Sequence, residues 1–354
     1  MVINTLNYLM PLSVSDKQQN NFIQMKKSLY LILIVTVLSL SGLNSCKKDP
    51  SGPSLVTTTE SLSMGPGYAN DVYYRLSDGL TTLVPRTNWD IAFSVSEREA
   101  AVLINGAAGV TLKAYPVSGW SWDNAIDTTG YSTWAFLNNS DTTWTEGAFN
   151  MNATDFPNYG WGDYDMITHN VNGVSLYLIK TREGLMKKIW IEKKMSVDQK
   201  YIFRYANIDG TDEKDVTLDM AGMTTNLDYY SIDTGEEVNR EPDASTWDIV
   251  FTKYIDNSIN YPVTGVLQNI DVKAQEINAA DISPDEMPEK GYLTDISTIG
   301  SDWKIIDMTT YQYSMDDTKA YYVKDRDNNI YRIQFRTFEG SSTGSLSFDI
   351  STLK

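Results

Sequence analysis

TWDIVFTKY (246–254) repeats, with few changes, the stretch NWDIAFSV at 88–95. In the first copy Trp89, Ile91 and Phe93 fall on one side of an extended chain and Asp90, Ala92 and Ser94 on the other, the two-residue period of a β-strand. The echo runs outward from there. DVYYRLSDGLTTLVPRTNWDIAFSV (71–95) lies over LDYYSIDTGEEVNREPDASTWDIVFTKY (227–254): a Tyr-Tyr strand, a Gly turn, a polar linker, then Trp-Asp-Ile-x-Phe. LYLIKTREGLMKKIWIEKK (176–194) lies over AYYVKDRDNNIYRIQFRTF (320–338), and each reads as strand, Gly or Asn turn, strand, a β-hairpin signature. Upstream of each hairpin a Trp is followed five residues on by a Met, Trp161 with Met166 and Trp303 with Met308. Four landmarks in one order, twice, indicate an internal duplication. The expectation is an all-β fold of two tandem homologous lobes, 60–222 and 223–354, packed on each other because no flexible linker parts them. Helical periodicity is absent apart from short polar stretches such as 276–290.

The length of 354 residues suits two domains better than one. The 22 Tyr and 9 Trp favour β-structure and half-buried surfaces. With 29 basic against 46 acidic residues the formal charge is −17, and no basic stripe is visible. Nucleic acid is therefore excluded as a partner, since phosphate binding needs clustered Lys and Arg.

From Met25 the chain reads MKKSLYLILIVTVLSLSGLNSC: two lysines, an apolar run, then small residues and Cys46. That order is a secretory signal peptide, 25–45. Its apolar run is shorter than the roughly 20 residues a membrane span needs. Leu43-Asn44-Ser45-Cys46 resembles a bacterial lipobox, which makes Cys46 the lipidated first residue of a mature chain with a polar tether over 46–59. Residues 1–24 lie upstream of the signal, as if the start were assigned too early. The single cysteine excludes a disulfide within the chain. The mature span carries 26 basic and 45 acidic residues, a charge of −19, which keeps a lipid-anchored domain soluble at the outer membrane or cell surface.

Catalytic chemistry has little to draw on. His169 is the sole histidine, no G-x-S-x-G elbow supplies a nucleophile, and one His without a free Cys leaves zinc only carboxylates. DRDNN (325–329) imitates the start of a calcium loop, but its twelfth position is Arg336, so it reads as a hairpin turn. DGTDEKD (209–215) reads as a loop. No pair of carboxylates stands out for glycoside hydrolysis. These features predict a protein that is not an enzyme and has no metal site of its own.

A lipobox followed by Lys-Lys-Asp, a Trp-Asp-Ile-x-Phe strand, a further Trp and the YYVKDRDNNIYRIQF hairpin resemble the HmuY family, haem-binding lipoproteins of Bacteroidetes and their relatives. The resemblance covers each lobe once. It implies an all-β fold that clamps haem between two loops through paired His or Met axial ligands. It also implies a role in haem acquisition, with a haem-carrier protein or an outer-membrane receptor as partner. Carried onto this chain, Trp89, Asp90, Trp247, Asp248, Trp161 and Trp303 are the signature core positions. One ligand position falls five residues after a Trp, at Met308 in the second lobe and Met166 in the first. The other falls in an upstream hairpin, near Met287 in the second lobe and Met151 in the first. His169 lies close to Met166, and thioether and imidazole both ligate haem iron.

A different class of function competes. SGWSWDN (118–124), STWAF (132–136) and DTTWTEG (141–147) place Trp120, Trp122, Trp134 and Trp144 in a polar, loop-like stretch. Exposed indoles of this kind stack on sugar faces, so a glycan platform is the alternative. A third reading makes the duplicated lobe a protein-interaction module at the cell surface.

Overall fold

The computed structural model describes residues 55–282 and 286–353; the leader, Cys46 and the start of the tether lie outside the described residues. Among the described residues the regular structure is β-strand with short 3-10 turns, and the fold is all-β. No helix there is long and apolar enough to cross a membrane.

Four antiparallel sheets carry the fold. The first has seven strands: Lys214–Asp219, Lys200–Asn207, Met186–Met195, Asn170–Gly173 and Gly162–Tyr164 in that order, with Tyr177–Lys180 beside Met186–Met195 and Thr111–Ala114 beyond it. The second runs Glu236–Val238, Leu227–Ser231, Ile91–Ser94, Val102–Ile104. The third runs Tyr261–Gln268, Ile249–Asp256, Asn70–Tyr74, Thr81–Pro85. The fourth runs Leu55–Ser63, Ser345–Leu353, Ile330–Phe338, Lys319–Lys324, Lys273–Asn278. A small hairpin, Lys304–Ile306 with Tyr313–Met315, stands apart.

The two sequence repeats exchange strands. The Tyr-Tyr strand of the first copy, Asn70–Tyr74, pairs with the Trp-Asp strand of the second, Ile249 opposite Tyr74. The Tyr-Tyr strand of the second copy pairs with the Trp-Asp strand of the first, Tyr230 opposite Ile91. The sheets thus cross the repeat boundary at 222/223. Residues 55–59, expected in the tether, are already strand, Leu55–Ser63 being paired along its length with Ser345–Leu353. Lys273–Asn278 is an edge strand, so the polar stretch that begins at 276 opens in β rather than helix.

Apolar side chains fill three layers between the four sheets. Ile91, Phe93, Tyr230, Ile189, Tyr201 and Phe203 are among those joining the second sheet to the first. Tyr74, Ile249, Phe251, Tyr321, Phe335 and Phe348 join the third to the fourth. Between the second and third lie Tyr73, Trp247, Val250, Leu267, Ala92, Leu103 and Tyr229, with Trp144 wedged against both sets. The signature tryptophans therefore divide. Trp161 and Trp303, 0 % and 1 % exposed, are core residues of the two outer layers. Trp89 and Trp247 belong to the middle layer instead, so Trp89 lies with Ala92 and not with Ile91 and Phe93 as alternation predicted. The reason is local. The strand begins at Ile91, and Trp89 and Asp90, the latter in a bend, precede it outside the two-residue period.

Asp90 and Asp248 serve the exchange. The Asp90 carboxylate accepts the backbone N–H groups of Ile232 and Asp233 and the Ser231 hydroxyl at 2.7, 3.2 and 3.3 Å. That of Asp248 accepts the Leu76 N–H at 2.8 Å. Each acid thus holds the turn that follows the other copy's Tyr-Tyr strand. Asn105 and Asn269 repeat the logic one strand on, donating to the carbonyls of Arg86 and Trp89 and of Ala244 and Trp247.

Candidate functional site at the hairpin tips

The two Trp-x4-Met segments fold alike. Trp161 donates through Nε1 to the Ala100 carbonyl at 2.8 Å, and Trp303 stacks on Phe335 with ring centroids 4.0 Å apart. From each buried Trp a short hairpin rises, Gly162–Tyr164 with Asn170–Gly173 and Lys304–Ile306 with Tyr313–Met315. Asp165-Met166-Ile167-Thr168-His169 caps one and Asp307-Met308-Thr309-Thr310-Tyr311 the other. The leading Asp builds each tip as an Asx turn. Asp165 accepts the Ile167 N–H at 2.8 Å and Asp307 the Thr309 N–H at 2.7 Å. Those amide contacts, with the Thr168 hydroxyl on Asp165, hold both carboxyls below the usual range. The turns close as His169 and Tyr311 donate their N–H to the carbonyls of Asp165 and Asp307 at 2.8 and 2.7 Å.

This construction leaves Met166 and Met308 in the open, 72 % and 70 % exposed. It also forces His169 and Tyr311 into the left-handed region, at φ 58° and 56°. Non-glycine residues held there carry strain on the order of 1–3 kcal/mol, which in folded proteins gathers at functional sites. Tyr311 is the counterpart of His169 in the second copy. Laying DMITHN (165–170) over DMTTYQ (307–312) shows it, a correspondence the Trp–Met spacing alone does not carry. Met287, by contrast, is nearly buried at 9 %, while Met151 is half-exposed beside a 3-10 turn.

His169 is exposed, and its Nδ1 lies 2.6 Å from the Tyr164 hydroxyl. It borders a groove of about 360 Å³ whose apolar lining includes Phe156, Tyr159, Val171 and Val197, with Arg98 and Lys194 as the cations. Burial pushes the Lys194 ammonium down to about 8, against the pull of Glu99 and Glu97. Arg98 comes from a segment far from the hairpin in sequence and Phe156 from the stretch just before it, and no motif pointed to either. On the second hairpin Lys304 lies over the Trp303 ring and donates to the carbonyls of Thr264 and Ser301; burial brings it down to about 7.

The four tryptophans of the glycan alternative occupy three places rather than one coplanar face. Trp120 and Trp122 join an apolar cluster with Trp190, Trp120 meeting Trp190 edge-on at 77°. Trp134 stands edge-on between Tyr115 and Tyr131. Trp144 donates to the Gln268 carbonyl at 2.8 Å in the middle layer. It lines a cavity of about 100 Å³ there and an adjoining groove of about 630 Å³. DRDNN is a turn: Asp325 accepts the N–H groups of Asp327 and Asn329 between the last two long hairpin strands.

An all-β protein of stacked antiparallel sheets, with two similar hairpins each rising from a buried Trp, is the class these observations define. No family model and no curated protein matches the chain. Among solved structures it is similar to apo PinO from Porphyromonas gingivitis, at 11 % identity and TM-score 0.30, over 84 % of this chain and 98 % of that one. It is also similar to an apo HmuY analog, TFO, from Tannerella forsythia, at 7 % identity and TM-score 0.24, over 86 % and 99 %. A third is a candidate HmuY-like heme binding protein from Bacteroides vulgatus, at 16 % identity and TM-score 0.21, over 42 % and 84 %.

Proposed function

We propose that this chain is an exported, lipid-anchored, non-catalytic surface protein of the HmuY-like type, and that it takes up haem at the His169 hairpin. The leader and Cys46 support export and anchoring, and the tandem motifs support the type. One observation carries the haem site. With Nδ1 of His169 engaged by Tyr164 at 2.6 Å, the ring is oriented and Nε2 is the nitrogen left for iron, above an aromatic groove. A metal-ligating His commonly has its other nitrogen fixed in this way.

The residues present fit the group. Met166 is exposed on the same tip, so a thioether and an imidazole are both available there, and Arg98 on the groove suits a propionate. Bound haem would supply an iron centre, which the His169 imidazole and the Met166 thioether would hold. On the second hairpin Met308 and Tyr311, 70 % and 69 % exposed, offer the corresponding donors.

A haemin titration of the compact unit that begins at Pro53, followed by visible absorption, tests this. A saturable Soret shift is expected, lost or displaced in His169→Ala and altered in Met166→Ala. Stoichiometry counts the working hairpins: two if Met308 and Tyr311 also ligate, one if they do not. A featureless titration, or a shift that survives in His169→Ala unchanged, rejects haem ligation by His169.

A further inference from the structure

We infer that the edge of the fourth sheet carries a second site, for an oxyanion of the phosphate or sulfate class, independent of haem. Lys273 and Lys324 stand directly opposite each other on neighbouring antiparallel strands. Like charges so opposed destabilise a sheet, their Cβ atoms being only about 5 Å apart. Arg326 follows two residues after Lys324. Lys290 arrives on a loop fastened to the sheet where Ala274 and Leu293 exchange backbone hydrogen bonds. All four cations, with Tyr292, line one open pocket of about 610 Å³.

Among the described residues none of these four makes a salt bridge. In a chain of 46 acidic and 29 basic residues that is a local reversal of charge. Three carboxylates also border the pocket: Asp271, Glu289 and Asp325. Asp325 is committed internally, accepting from the backbone of Asp327 and Asn329 and from the Asn329 amide. Two cations are held in place. Lys324 Nζ sits 4.8 Å from the Tyr292 ring centroid, and Arg326 donates through Nη2 to the Ala244 carbonyl at 2.5 Å while its buried Nε has no partner. Converging ammonium groups suit a compact, multiply charged oxyanion. Asp271 and Lys273 also border the groove beside Trp144, so a larger molecule bearing the anion has room to continue along it.

The test uses the unit from Pro53 at low ionic strength, titrated with inorganic phosphate, inorganic sulfate and a fully sulfated disaccharide, and read by calorimetry and by Tm. Saturable binding and a rise in Tm are expected. The affinity should weaken by at least roughly tenfold in Lys273→Gln/Lys324→Gln, and the rise in Tm should shrink with it, since charge-assisted contacts are worth more than the roughly 1.4 kcal/mol that tenfold represents. Without anion the double variant should melt no lower than the parent, because its opposed charges are gone. Tighter binding of the disaccharide than of the ions assigns the site to an anion carried on a saccharide; equal binding assigns it to the free oxyanion. No saturable binding of any probe, or undiminished binding in the double variant, overturns the site.

Discussion

Asp248 accepts the backbone N–H of Leu76 at 2.8 Å across 172 residues of chain, and Asp90 accepts that of Ile232 at 2.7 Å across 142. The two contacts are the same contact made in opposite directions. Around them the tyrosines and tryptophans pair in the same reciprocal way. Tyr73 meets Trp247 edge-on at 4.8 Å, and Trp89 meets Tyr229 at 5.1 Å. Arg240 bridges the exchanged hairpins through a buried 2.6 Å contact with Asp71 while lying over Tyr229. The repeats are thus interlocked, not merely adjacent.

Removing either clasp should destabilise the whole protein. Asp248→Ala leaves the Leu76 N–H buried without a partner, a loss of about 1–3 kcal/mol. Asp90→Ala should cost more, because three donors lose their acceptor. Urea denaturation followed by Trp fluorescence checks both. The exchange also demands one cooperative transition for the parent chain; two resolved transitions would show that the halves unfold independently.

Core and tip should respond oppositely along each Trp-x4-Met segment. Trp303→Ala and Trp161→Ala empty fully buried sites and should cost about 3–5 kcal/mol. Met308→Ala and Met166→Ala, on exposed tips, should change stability by less than about 0.5 kcal/mol. Thermal melts of the four variants decide it. A large loss in either Met variant would mean that the sulfur packs against the protein and is no free ligand.

The contrast marks how far the sequence could be read. Strand identity was legible because Ile91 and Phe93, or Ile249 and Phe251, keep the two-residue period on which burial depends. The repeat was legible because its landmarks are large aromatics. Which strand pairs with which was not, since Tyr230 beside Ile91 and Tyr74 beside Ile249 satisfy the same local pattern as pairing within one copy. Of the candidate site, the Trp–Met spacing marked Met166 and Met308, and His169 stood out only as the one imidazole, close to Met166. The groove escaped, because Arg98 joins Phe156 and His169 only through the fold. The cationic pocket escaped for the same reason, since Lys273, Lys290 and Lys324 never form a basic stretch in the chain.

Stability should fall as pH rises from about 4.5 to 6.5. Burial pushes the Glu241 carboxyl up to about 7, although the N–H groups of Asn226 and Leu227 and the Tyr229 hydroxyl pull it back. Asp228 is also raised to about 7, by burial and then by the charge of Glu237. A carboxyl whose folded pKa lies above its unfolded value of about 4 binds its proton more tightly in the native state. Its stabilisation is full below pH 4 and lost as pH climbs through the folded value, on the order of 1–3 kcal/mol for Glu241. Turn carboxylates such as Asp209 and Asp243, held down chiefly by the side chains of Thr211 and Ser245, act the other way, and do so below pH 4. Lys304, brought down to about 7, favours the fold only as pH rises beyond that point. Urea midpoints at half-unit steps should therefore decline between pH 4.5 and 6.5 in the parent and decline less steeply in Glu241→Gln, where Asp228 remains. A parent midpoint that is level or rising over that window would mean that Glu241 and Asp228 are already ionised in the fold.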